Sequence, residues 1–81
     1  GIADMISKSA PEEEILAILD EGYELLPETA FILVEQDNAT LLEKLKGYGL
    51  KTQGIEVNGL SLQVFAIQQN ASQKMLKAIS K

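Results

Sequence analysis

The side chains able to do chemistry in this chain of 81 residues are carboxylates and lysines: twelve Asp and Glu, seven Lys, and no Cys, His or Arg. Without Cys or His there is no thiol nucleophile, no serine triad, no imidazole base and no Cys/His zinc site. Without Arg there is no bidentate clamp for phosphate, and a formal charge of −5 argues against nucleic acid. Carboxylate chemistry, oxygen-ligated cations and charge-based docking remain. Glu35 and Asp37, at the end of an apolar run, are placed for acid–base work, but Asp37 is equally a helix cap and no second catalytic group accompanies them. No Asp-x-Asp-x-Asp-Gly loop is present, so neither a metal nor another cofactor is expected, and the chain reads as non-catalytic.

The charges are unevenly placed. Residues 1–43 hold eleven acids against Lys8 alone, whereas residues 44–81 hold six lysines against Glu56. Glu12, Glu13 and Glu14 suit the positive end of a helix dipole. Asp20, Glu21 and Glu24 extend the series to six acids without a base, more than the dipole requires. Glu13, Glu14, Asp20, Glu21 and Glu24 are therefore the candidate interaction residues, joined by Phe65 and Ile67 on an exposed sheet face. The expected partner is a protein with a basic surface, or a second copy of the chain meeting Lys74, Lys77 and Lys81. Three lysines without Arg or an aromatic residue support neither a membrane nor a nucleic-acid partner. The sequons Asn38-Ala39-Thr40 and Asn70-Ala71-Ser72 both fall where a helix needs a cap, which is the preferred role for each Asn.

These residues need elements to position them. Residues 2–6 form a possible first strand. Ser9 and Glu12 have capping-box spacing around Pro11 and open a helix whose stripe of Ile15, Leu16, Ile18, Leu19, Tyr23 and Leu26 ends at Pro27. Residues 29–35 are short and almost wholly apolar, the pattern of a central strand buried on both faces. Asp37 or Asn38 caps a second helix with Leu41, Leu42, Leu45 and Tyr48 inward and Gly47 or Gly49 as its left-handed stop. Asn58-Gly59 supplies a type I′ turn between strands at 50–57 and 60–69. Residues 71–81 read as a C-terminal amphipathic helix with Met75, Leu76 and Ile79 on one side.

The expected fold is an α/β (α+β) two-layer sandwich, (β)αβαββ(α), a mixed sheet with helices packed on one face. It spans residues 1–81 as a single domain, with Tyr23, Tyr48, Phe31 and Phe65 in its core and no internal repeat visible. No apolar run is longer than that of residues 30–34, which is far short of the roughly 20 residues a membrane helix needs. With no cysteine the expected location is cytoplasmic. Gly1 in place of an initiator Met reads as a processed end or a cloning scar, and the chain as a protein-interaction or assembly module that is a domain or fragment of a larger protein.

Ala10-Pro11-Glu12-Glu13 precedes the first helix, Asp37-Asn38-Ala39 opens the second, and Gly47-Tyr48-Gly49-Leu50 leads toward the hairpin. In order and spacing, residues 3–68 resemble the TusA/SirA-like small sulfur-carrier domains, where a Cys-Pro-x-Pro motif opens helix one. Pro11 matches the first proline, Ala10 stands at the sulfur-carrying cysteine and Glu13 at the second proline. The resemblance implies βαβαββ order and docking to a desulfurase or sulfur-relay protein. With Ala10 it implies a divergent or active-site-mutated carrier, unable to hold a persulfide unless the natural residue at 10 is Cys.

Overall fold

Pro27 starts a helix rather than ending one. Proline at the first helical position has φ preset and lacks only an N–H that would be unpaired there, and α3 runs from it as Pro27–Glu35. The computed structural model describes residues 1–80. Around α3 lie α1 (Ile2–Ser7), α2 (Glu12–Asp20), α4 (Ala39–Lys46), a small hairpin of β1 (Glu56–Val57) and β2 (Leu60–Ser61), then α5 (Leu62–Gln68) and α6 (Gln73–Ser80).

The two-layer sandwich is thus overturned: among the described residues the only sheet is the two-stranded hairpin. Residues 2–6 and 29–35 are helical, not strands. The apolar run fits a helix covered nearly all round, since α3 contacts α1, α4, α5 and β1 and buries Thr29, Ala30, Phe31, Leu33 and Val34. The first predicted helix is shorter than its apolar stripe. It stops at Asp20, Gly22 turns the chain with φ of 95°, and Tyr23 and Leu26 fall in the following loop. Ser9 does not cap this helix: it adopts φ of 58°, and Pro11 is the N-cap.

Of the other local expectations, some hold and some shift. Asn38 caps α4, its side chain accepting from the Leu41 amide at 3.2 Å, and Leu41, Leu42 and Leu45 are buried. Gly49, with φ of 101°, rather than Gly47 is the left-handed stop. Asn58 and Gly59 both have positive φ, and Val57 pairs with Leu60. The hairpin ends early because Ser61 accepts from the Val64 amide at 3.2 Å and opens α5, so residues 62–68 leave the sheet. In α6, Met75 and Ile79 are buried as the spacing predicts; Ser72 caps it, accepting from the Met75 amide at 3.2 Å, and Asn70 does not. Residue 81 lies outside the described residues.

The chain contains a structural repeat that its sequence does not display. Its described residues form three helix pairs, α1–α2, α3–α4 and α5–α6, each closed by the same turn around a left-handed residue: Ser9, Asp37 and Asn70, with φ of 58°, 54° and 57°. In every case that residue donates to the carbonyl three back, and the next donates to the carbonyl five back: Ser9 to Ile6 and Ala10 to Met5, Asp37 to Val34 and Asn38 to Leu33, Asn70 to Ile67 and Ala71 to Ala66, all at 2.9–3.0 Å. This is a Schellman closure. The first helices pack in the order α1, α3, α5, with α4 against α6, as in architectures where each helix pair contacts its neighbours in the stack.

Polar bonds tie the pairs together. Gln36 Nε2 donates to the Ile6 carbonyl at 2.8 Å, Glu12 pairs with Lys44, and Lys74 Nζ donates to Thr40 Oγ1 at 3.0 Å. Ser72 donates both its amide and its hydroxyl to Asp37 Oδ1, each at 3.1 Å. Asp37 therefore serves the turn and the seam between pairs. Asp37→Ala is expected to cost about 1–2 kcal/mol in urea unfolding, because alanine tolerates the left-handed region poorly. Asp37→Gly restores the turn but not the Ser72 bonds, and should recover only part of the loss.

No helix among the described residues is long and apolar enough to cross a membrane.

Candidate functional site

Two glycine turns bring two tyrosines to the lining of one cleft. Gly22 releases the chain after α2 and is followed by Tyr23; Gly49 ends α4 and is preceded by Tyr48. Between these turns lies an open cleft of about 360 Å³ whose lining includes Tyr23, Leu26, Tyr48, Ile55, Glu24 and Lys51. Tyr23 is 62%, Leu26 51% and Tyr48 44% exposed, three of the five large apolar side chains exposed among the described residues. Tyr23 and Leu26 also line a neighbouring depression of about 400 Å³ with Ile2, Asp4, Glu24 and Glu28. The two tyrosines expected in the core are thus at the surface. They fall outside the helical stripe once α2 and α4 end at Asp20 and Lys46.

Asp20 bears directly on this surface. Its charge holds the Tyr48 phenol above its ordinary pKa of 10.0, with smaller contributions from partial desolvation and from polar interaction of the protonated phenol with the carboxylate. Ionising the phenol would place two negative charges together. Asp20→Asn is therefore expected to lower the Tyr48 pKa toward the ordinary value. Ultraviolet titration of a Tyr23→Phe background, where Tyr48 is the remaining tyrosine, reads this directly.

The acidic candidates separate into two groups. Asp20 bears on Tyr48 through its charge, Glu24 lines the main cleft, and Glu21 lines a smaller depression with Tyr23. Glu13 and Glu14 are exposed at the opposite end of α2 and line none of these depressions. Among the described residues no three acids converge as a cation site. Phe65 is half-buried against the core, its ring 5.2 Å from that of Phe31, whereas Ile67 is 70% exposed on α5. With no sheet beyond the two-stranded hairpin among the described residues, the sheet face assigned to both is not formed. Ala10 is half-buried in the turn between α1 and α2, and Pro11 caps α2; neither follows a strand.

Sequence reasoning missed Tyr23, Leu26 and Tyr48 as surface residues. The available signal was the adjacency Gly22-Tyr23 and Tyr48-Gly49, which puts each aromatic at a helix exit rather than within a stripe. No protein-family model, curated protein or solved structure matches the chain. The strand and helix order from which the sulfur-carrier resemblance was drawn is not the order found.

Proposed function

We propose that the chain is a non-catalytic protein-interaction module that docks a basic, apolar segment of a partner protein in the Tyr23–Leu26–Tyr48 cleft. The exposed tyrosine pair carries this reading: Tyr23 and Tyr48 both present solvent-exposed aromatic surface in the lining of one cleft. Tyrosine is enriched in protein interfaces because it offers a large rigid contact and a hydroxyl at low entropic cost. Asp20, Glu21 and Glu24 stand beside that surface, and acids around an apolar centre favour lysine or arginine flanking an apolar anchor. Persulfide carriage would require a cysteine at position 10, where this chain has Ala10, and no structural observation favours it.

The test is a fluorescence-anisotropy titration with peptides that alternate leucine or tryptophan with lysine, against counterparts with glutamate in place of lysine. Binding should be micromolar, at least tenfold weaker for the glutamate series, and weaker as salt rises and screens the acids. Equal affinity for both series, or no binding to either, would refute the reading.

A further inference from the structure

The repeated turn sets a register between the helix pairs. Counting back from Ser9, Asp37 and Asn70, the equivalent positions are Ile6, Val34 and Ile67; Ala3, Phe31 and Val64; and Asp4, Ile32 and Phe65. The Phe31–Phe65 contact at 5.2 Å identifies the side of α3 that receives α5. Phe31 and Val34, three residues apart on that side, are buried, whereas their equivalents Val64 and Ile67 are 46% and 70% exposed. The face by which each pair receives the next is thus apolar on the last pair and bare.

The opposite end of the stack is built differently. Where α3 has Ile32 and α5 has Phe65, both half-buried against the core, α1 has Asp4, ion-paired to Lys8 at 3.1 Å and exposed. Asn70, meanwhile, occupies the turn position from which Asp37 accepts Ser72. The α1 end thus carries charge at this position, while the α5 end carries both the apolar pair and the turn position of an internal unit.

We infer that the Val64–Ile67 face of α5 seats a further hairpin and helix pair of this same kind, stacked as α5 lies on α3, with an apolar side chain at the position Phe65 holds here. The face continues the interface that already runs from α1 through α3 to α5, and its occupant is chosen by that register. A second copy arriving end to end would press Asp4 and Lys8 onto Val64 and Ile67, desolvating two charges against apolar carbon. Two copies meeting α5 to α5 would rest chiefly on two side chains each, well short of the roughly 800 Å² per partner typical of a specific interface.

The experiment fuses a second copy of residues 47–80 after Ser80 and follows unfolding by circular dichroism, with sedimentation equilibrium of the original chain. The original should be monomeric, and Ile67→Lys, at an exposed site, should leave its midpoint within about 2 °C. The extended chain should unfold in one transition at least about 5 °C higher, and Ile67→Lys at the original position should remove that gain. Because the chain has no tryptophan, Val64→Trp provides a separate reporter whose emission should shift to the blue in the extended chain. No midpoint gain, a gain indifferent to Ile67→Lys, or unchanged emission from the Val64→Trp variant overturns the inference. So does self-association of the original chain that Ile67→Lys abolishes, which would assign the face to a second copy.

Discussion

Leu33→Ala is expected to cost about 3 kcal/mol and to lower the thermal midpoint by roughly 12–24 °C, since a buried leucine leaves both a transfer loss and a cavity. Leu33 is fully buried in α3, the helix in contact with α1, α4, α5 and the hairpin, so its cavity would open at the centre of the stack. A domain of this size has roughly 4–12 kcal/mol of stability in total, so the loss removes a quarter to most of it. Neighbouring substitutions should follow helical rather than strand geometry. Ile32→Ala, at a half-buried position, should cost about half as much, and Glu35→Ala, exposed on the last turn, should stay within about 0.5 kcal/mol. Urea unfolding of the three variants gives the ranking; equal losses at Leu33 and Ile32 would fit a strand buried on both faces and contradict the helix.

Tyr23→Ala combined with Tyr48→Ala is expected to weaken binding of the lysine–leucine peptide at least tenfold. Tyrosine anchors at the centre of an interface commonly contribute more than about 1 kcal/mol each. Both side chains project from loops after α2 and α4, and neither belongs to the buried core, so the midpoint should move by no more than about 3 °C. The pairing of a large affinity loss with retained stability separates a docking role from a structural one. Glu13→Lys with Glu14→Lys, at the far end of α2, should change affinity by less than about threefold, a long-range field effect alone. Glu21→Lys with Glu24→Lys should reduce affinity nearly as much as the tyrosine pair and make the remainder insensitive to salt. If the Glu13 and Glu14 pair mattered more, the docking surface would lie along α2 rather than at its exit.

Helix α4, the Asn58-Gly59 turn and the amphipathic α6 were legible because each rests on a local device: the Asn38 side chain, two left-handed residues, and a stripe with lysines on its back. What failed was tertiary. The run at 29–35 has too little polarity to show a helical period because α3 is enclosed by four elements, and a fully enclosed helix and a central strand look alike in sequence. In α5, Leu62 and Ala66 mark the inner face, but Val64 and Ile67 add apolar residues outside it and produce a strand-like string. The surplus that disguised the helix is the same surplus that marks the end of the stack.

The repeat was invisible for a related reason. Its turns recur 28 and then 33 residues apart, and the residue in the shared conformation is Ser9, Asp37 or Asn70. Equivalent positions need only suit their own neighbours, so Asp4, Ile32 and Phe65 share a place without sharing chemistry. The acidic set was half informative: composition singled out Asp20, Glu21 and Glu24, but only the Gly22 and Gly49 turns bring them to the tyrosines.

The central claim, docking in the Tyr23–Leu26–Tyr48 cleft, is tested most directly by amide chemical-shift mapping of the ¹⁵N-labelled chain during titration with the lysine–leucine peptide. The largest perturbations should fall on Gly22, Tyr23, Glu24, Leu26, Tyr48, Gly49 and Lys51, the segments that border the cleft. Perturbations centred on Glu13 and Glu14, or on Val64 and Ile67, with the cleft segments unmoved, would contradict it.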